Sequence, residues 1–390
     1  MMTSTERTKE AVLNTARSLQ AVIEGHRDES ERERRLSPAI VAAMREAGLF
    51  NSWVPRELGG DEVDLPTFLE VVEAISAMDG AAGWVLANVT GNNMQAAFLP
   101  QAGAREILGG DQAALSVGAI APKGHAVPVA GGYRLTGQWP LVSGAHHATW
   151  LGMGSLVFDG DAPRLGVHGM PDLKIMCVPA AECEVLDTWY AAGLRGTGST
   201  DIAVRDVFVP EQRTFSAFTG QPQVPGALYQ VGILALFSCA LTAVGLGIAR
   251  AAIDAFVELA KGKTPTLSQA GLGGRPTVHA EVAHAEARLQ SARAYFFEVA
   301  REMMAVVEAG EAIPEDLEAR RQLACVNSAA SCEEAVDSMF KLGGSTAIYS
   351  GHRLERCLRD IHTANQHLVV SPVWWEKTGQ YYFGLGLGMP

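Results

Sequence analysis

The chain has 390 residues, and its 31 basic and 43 acidic side chains leave a net charge of −12 with histidine neutral. That length calls for more than one small core. That charge lacks the basic footprint a nucleic acid or an anionic membrane would require, so neither is expected as a partner.

From residue 5 to about 110 the pattern is helical. Ala11, Leu13, Ala16, Leu19, Val22 and Ile23 recur at helical spacing. Ser37-Pro38 reads as a helix start, with serine as N-cap and proline at the first helical position, and that helix ends at Ala47-Gly48. Further helices are expected from Asp64-Leu65-Pro66 and from about Ala81 to Ala97. From about 112 to 215 short β-rich runs alternate with glycine: Ala126–Val129, Tyr133–Leu135, Trp150–Val157, Ile175–Val178 and Ile202–Val209. Gly131-Gly132 between two of them reads as a hairpin turn.

Helix returns after about 226, in four pieces: Val231–Lys261, Val278–Gly310, Pro314–Leu342 and Arg353–Leu368. Apolar helices of this kind bury against one another, and often against a second subunit. The expected architecture is therefore α+β. An N-terminal helical domain spans 1–111, a middle β-domain 112–220 and a C-terminal four-helix bundle 221–390. The longest apolar stretch, Val231–Val244, is broken by Ser238 and Thr242 and reads as too short for a membrane span. The N-terminus, MMTSTERTKEAVLNTARS, is charged without a signal-peptide core, so a cytoplasmic location is expected. Six cysteines, none in a CxxC pair, read as free thiols.

Several motifs resemble the acyl-CoA dehydrogenase superfamily. They are Glu46-Ala47-Gly48-Leu49-Phe50 with Pro55-Arg56-Glu57-Leu58-Gly59-Gly60, then Gly193-Leu194-Arg195-Gly196-Thr197-Gly198-Ser199 with Val207-Phe208-Val209-Pro210. Two more segments resemble its group D branch, the two-component flavin-dependent monooxygenases that include hydroxyphenylacetate hydroxylase and dibenzothiophene monooxygenase. One runs from Pro122 to Gly144; the other is Arg356-Cys357-Leu358-Arg359-Asp360-Ile361-His362-Thr363-Ala364-Asn365-Gln366-His367. The dehydrogenases' Tyr-Glu-Gly carboxylate loop and Arg-x-x-Phe-Gly segment are not found, although Lys261-Gly262-Lys263 stands near the place of the latter. One departure concerns the branch itself. Several of its hydroxylases carry a histidine shortly after the tryptophan equivalent to Trp84, where this chain has Asn88 to Asn93.

The resemblance implies the oxygenase component of such a system. It would take reduced FMN (or FADH2) from a separate NAD(P)H:flavin reductase and oxygenate an aromatic or heteroaromatic small molecule, in a homo-oligomer, as a tetramer. No dinucleotide fingerprint is present to bind nicotinamide here; Gly271-Leu272-Gly273-Gly274 has no strand before it. The alternatives are FAD-dependent oxidation of an acyl thioester, which needs a carboxylate base, and a flavin-free binding protein.

Among single residues, His367 is read on one helix face with Asp360, Thr363 and Ala364, as the active-site imidazole or as a structural histidine. Ser143, after a Trp-Pro turn, is read as a catalytic and flavin contact or as an ordinary turn serine. Trp139 is a wall for the flavin ring or a core aromatic. Gly343-Gly344-Ser345-Thr346 is read as a turn whose exposed N–H groups could meet a flavin phosphate or ribityl chain, or as a plain helix–helix turn; Trp189 is added to the cofactor residues, and Trp84, Asn92 and Ser116 to a substrate pocket. The tandem His146-His147 is placed on a strand, where only one could face the flavin. No metal site is expected.

Overall fold

The computed structural model describes residues 7–109, 113–166, 169–217, 219–266 and 268–387. Its helices are α1 (Lys9–Ser18), α2 (Gln20–Glu33), α3 (Pro38–Glu46), α4 (Leu65–Met78), α5 (Gly80–Met94) and α6 (Gln101–Leu108). They continue with α7 (Ala227–Gln230), α8 (Ile233–Gly262), α9 (Pro276–Glu308), α10 (Glu315–Gly343), α11 (Arg353–Ala364) and α12 (Val373–Tyr382). The strands are β1 (Ser116–Val129), β2 (Gly132–Val142), β3 (Trp150–Asp159), β4 (Ala162–Pro163), β5 (Leu173–Pro179), β6 (Glu184–Leu186), β7 (Thr200–Pro210) and β8 (Thr214–Ser216). This is the mixed helical, β, helical order expected. The expected 111/112 boundary lies outside the described residues.

The chain forms two compact units. One holds Met1–Asp64, Val85–Tyr190 and Arg195–Ile233; the other holds Leu65–Trp84, Ala191–Leu194 and Leu234–Pro390. The first contains the sheet, ordered β6-β7-β2-β1-β3-β5-β8 with β4 paired to β3. The hairpin is present: β1 and β2 run antiparallel with Val129 opposite Gly132, so Ala130-Gly131 is the turn, and Gly131 takes the left-handed backbone that it needs. Helix α3 starts as expected. Ser37 accepts the Ala39 N–H and Pro38 opens the helix. Trp53, Phe50 and Tyr229 are among the fully buried side chains of this unit, and the Tyr229 hydroxyl donates to the Trp53 carbonyl (3.3 Å).

In the second unit α9 and α10 pack along their lengths, with α11 and α12 on α10 and α4 on α9. Helix α4 thus joins the C-terminal helices, and Glu73 on it accepts from Arg293 of α9 (2.7 Å). Two expectations for this region change. The apolar run near residue 231 belongs to a 30-residue helix, α8, whose most apolar window has mean hydropathy 1.9; 78% of that window is buried within the protein. It is long and apolar enough to cross a membrane, but its composition is equally that of a core helix. The last expected helix is also shorter. Helix α11 ends at Ala364, and a separate 3-10 turn, Leu368–Val370, follows.

Candidate active site

The antiparallel register of β2 and β7 sets the end of one beside the start of the other. Val142 pairs with Thr200, which brings Ser143 next to Ser199. Their hydroxyls lie 2.7 Å apart, and the Ser199 hydroxyl lies 2.7 Å from that of Thr197. All three are buried. The Gly144 N–H donates to the Thr197 carbonyl (2.8 Å) and ties the two segments together. The result is a chain of hydroxyls, each of which can donate or accept.

The segment before Ser143 is not the Trp-Pro turn expected. Trp139 and Pro140 lie within β2, at a bulge where the register shifts between Trp139 and Val142. Leu141 in that bulge has φ +62° and is 65% exposed, both unusual for leucine. The sequence signal for it is Pro140, which cannot donate to a ladder and marks bulges. Trp139 is fully buried. Its Nε1–H donates to the Gly154 carbonyl (2.8 Å), and its ring occupies the space left by two glycines, 124 and 137. The expected flavin wall is therefore a core position.

Trp189 is held at both ends: its indole N–H donates to the Arg195 carbonyl (3.0 Å), and its own carbonyl accepts from Arg34 (3.0 Å). Arg34 also grips Asp187 through two hydrogen bonds of 2.7 and 3.1 Å and lies 3.9 Å from the centre of the Tyr190 ring. The guanidinium, chiefly, and the Tyr190 hydroxyl hold the Asp187 carboxyl down at about 2. This latch was not legible in the sequence, because Arg34 and Asp187 are far apart along it.

His146 and His147 are in a 3-10 turn, Ala145–His147, not on a strand. His147 Nε2 lies 3.0 Å from the Leu36 carbonyl, and burial lowers its pKa to about 4. Asn92 and Ser116 line one small pocket with Gln95 and Trp150.

In the second unit His367 has left the helix. It caps the 3-10 turn that follows, with Nδ1 accepting the Val369 N–H (3.3 Å), so the face shared with Asp360 and Ala364 does not exist. The imidazole instead stands edge-on to the buried Trp84 indole, with ring centroids 5.6 Å apart and planes at 70°. Trp84 lines a narrow space with Thr242, Gly245, Ala364, Asn365 and Val370. Desolvation by surrounding protein lowers the pKa of His367 to about 4 although the residue keeps an exposed face, so the ring is neutral at pH 7. With Nδ1 accepting, the ring hydrogen sits on Nε2.

Asp360 is buried on α11, and its carboxylate accepts the Leu194 N–H at 2.6 Å. Leu194 has φ +48°, and the Arg359 side chain donates to the Ala192 carbonyl (2.8 Å). A Cβ at Gly193 would sit 2.0 Å from the Arg359 carbonyl oxygen, so only glycine allows that approach. The Gly343–Ser345 turn is overlain by Lys263, whose ammonium donates to the Gly343 carbonyl (2.6 Å) and the Thr346 hydroxyl (2.7 Å). His352 caps α11, and His362 pairs with Asp337 (2.9 Å).

The chain matches two family models: Acyl-CoA dehydrogenase, N-terminal domain, over residues 5–107, and Acyl-CoA dehydrogenase, C-terminal domain, over 239–372. It is 33% identical to the indole-3-acetate monooxygenase of Pseudomonas putida, across 96% of this chain and 95% of that one. It is 29% identical to the flavin-dependent monooxygenase oxygenase subunit HsaA of Mycobacterium tuberculosis, across 98% of each. A solved structure of XiaF from Streptomyces sp., in complex with FADH2 and glycerol, superposes with a TM-score of 0.90 at 28% identity, over 98% of this chain and 97% of that one.

Proposed function

Because the chain belongs to the acyl-CoA dehydrogenase family, on its branch of flavin-dependent monooxygenase oxygenase subunits, we propose that it transfers one oxygen atom from dioxygen to an aromatic or heteroaromatic small molecule. Reduced FMN, or FADH2, would come from a separate NAD(P)H:flavin reductase. The reading is carried by one pairing: a neutral imidazole, His367, set edge-on to the Trp84 indole, which itself lines a narrow space with Thr242, Gly245 and Ala364.

Two donor sets fit a flavin. The Ser143–Ser199–Thr197 hydroxyls can meet the polar edge of an isoalloxazine ring, which presents donors and acceptors together. Lys263 uses two of its three N–H groups on the Gly343–Thr346 turn, leaving one N–H and its charge for a phosphate beside Gly344 and Ser345. When bound, the reduced flavin supplies the electrons that activate dioxygen.

The residues then have distinct work. His367 holds its hydrogen at Nε2 and donates from there to an oxygen atom, fixed in that tautomer by the Val369 N–H on Nδ1. Trp84 fixes the ring's orientation and presents an apolar wall to an aromatic substrate. Leu141, exposed on a strained bulge, presents an apolar surface beside the hydroxyl chain. Trp189, held by Arg34 and Arg195, is the assigned flat surface for the flavin. We assign the active assembly as a homotetramer.

The test is a reaction of the purified chain with reduced FMN and ¹⁸O-labelled dioxygen over a panel of indoles, phenols and fused thiophenes. Label in an aromatic product supports the reading. Oxidation of an acyl thioester with no label incorporated overturns it.

A further inference from the structure

Two buried thiols in the helical unit have no part in the reaction proposed above. Cys239 on α8 and Cys325 on α10 are each 1% exposed, and their sulfurs are in hydrogen-bond contact. Arg321, one turn before Cys325, is buried with them. It spends Nε and Nη2 on the Glu318 carboxylate (2.8 and 2.5 Å), which leaves Nη1 directed at the Cys325 sulfur, 4.0 Å away. Packing alone does not call for a guanidinium here. A buried cation is costly unless it is paired, and an apolar side chain would fill the same volume.

These contacts make the two sulfurs unequal. The hydrogen bond from Cys239, and after it the charge of Arg321, hold the Cys325 thiol below its ordinary range, toward thiolate. Giving that hydrogen bond, together with burial, pushes the Cys239 thiol well up. Cys177 and Cys332 are as deeply buried, and burial pushes both of them up. The pair also has a neighbour that matters. Cys325 is in hydrogen-bond contact with the Thr242 hydroxyl, and Thr242 lines the narrow space beside Trp84 together with Leu241 and Ala329. Thr242 is about one turn beyond Cys239 on α8, and Ala329 one turn beyond Cys325 on α10. The two sulfurs therefore lie directly beneath one wall of that space. A thiolate beside a cation, with a second thiol in contact, is the arrangement of a reactive cysteine and its resolving partner.

We propose that Cys239 and Cys325 form a dithiol that hydrogen peroxide converts to a disulfide, with Cys325 as the attacking sulfur and Cys239 as the resolving one. The Cys325 sulfur attacks one peroxide oxygen and the O–O bond breaks. The leaving hydroxide takes the proton that Cys325 gave up and departs as water, and the sulfur is left as a sulfenic acid. The Cys239 sulfur then displaces that hydroxyl: the S–S bond forms, the S–O bond breaks, and the Cys239 proton leaves with the hydroxide as a second water. Two thiols lose two electrons and one peroxide becomes two waters. The peroxide is what an oxygen-activating flavin enzyme releases when transfer to substrate fails. That internal source rests on the monooxygenase reading above, whereas the reactivity of the dithiol does not.

The experiment treats the folded full chain with excess hydrogen peroxide, without flavin. Samples are quenched over time with catalase, unfolded, alkylated and read by peptide mass spectrometry. A peptide joining Cys239 to Cys325 should appear, and dithiothreitol should reverse it. Cys325 should be consumed at least about tenfold faster than Cys177 or Cys332, since each pKa unit is about a tenfold change in thiolate. Cys239→Ala should stop at a sulfenic acid on Cys325, captured by dimedone, and Cys325→Ala should leave Cys239 reduced. The wild-type comparison decides the matter even where a variant melts too low to use. No joined peptide, or oxidation of Cys325 no faster than that of Cys177 and Cys332, overturns the dithiol, and so does undiminished oxidation of Cys239 in a folded Cys325→Ala. A second arm supplies reduced FMN and air with no aromatic substrate and keeps catalase in solution, so that only peroxide made within the protein can act. The disulfide should form there too. Its formation with added peroxide but not in this arm counts against the monooxygenase reading and leaves the dithiol standing.

Discussion

The imidazole of His367 meets the indole of Trp84 edge to face, 5.6 Å between centroids. The contact holds a residue that lies three positions beyond its helix, in a turn where an exposed histidine would otherwise sample several rotamers.

His367→Ala should therefore lower aromatic product per reduced flavin by about 10²–10³-fold, the usual worth of one positioned hydrogen-bond donor to developing charge. Hydrogen peroxide released per flavin should rise by a matching amount. His367→Asn keeps a hydrogen-bond donor and the approximate size but places the donor differently, so it should recover coupling only in part. Product and peroxide are measured together, with thermal stability as control. An alanine variant that turns over normally makes His367 structural.

Stability should depend on pH through His147, lowered to about 4 chiefly by burial. An unfolded histidine titrates near 6.5, so between that pH and about 4 the unfolded chain binds protons that the folded chain does not. The contribution is complete above the unfolded value and is lost as pH falls through the window. The slope is at most about 1.4 kcal/mol per pH unit. Melting temperature measured from pH 7 to pH 4 should fall, and His147→Gln should flatten the fall.

Asp360→Ala should destabilise the protein by about 2–4 kcal/mol. It strips the acceptor from the Leu194 N–H, which is donated at 2.6 Å within a buried site. Asp360→Asn retains one acceptor oxygen and should cost less. Urea midpoints of the two variants test this, and equal midpoints for wild type and alanine would remove Asp360 as an anchor.

Lys263→Met should weaken reduced FMN about tenfold and leave reduced riboflavin unchanged, since only FMN has a phosphate to lose the ammonium. Reduced flavin should bind the wild type more tightly than oxidised flavin, and FMN should suffice. Parallel losses for FMN and riboflavin would give Lys263 a packing role only.

In solution the chain should run as one species of about four times its 41.4 kDa mass by light scattering. A monomer at micromolar concentration would count against the assembly proposed.

The helices, the hairpin and the sheet were legible because each is written locally: Ser37-Pro38 in a cap, Gly131 in a turn, the apolar run of α8 in a core helix. The position of His367 was not. Spacing alone extends α11 to residue 367, whereas Asn365 already sits at its C-cap. Trp139 failed for another reason. Its burial depends on two glycines on adjacent strands, and one of them, residue 124, is remote in sequence. The Asp360–Leu194 bond joins residues 166 positions apart, and no local pattern announces such a pair.

Those few residues, Ala191–Leu194, have a consequence for anyone who would divide the protein. They are bracketed on both sides by the sheet-containing unit yet are fastened to α11 by Asp360 and Arg359. A fragment ending at Ile233 would carry them, and the whole of Leu65–Trp84, without the helices they pack on, while the complementary fragment would lack both. No single cut separates the two units into self-sufficient pieces. Split reporters, domain exchange with a relative and limited proteolysis should all meet the same obstacle: a nick is tolerated only if both products stay associated.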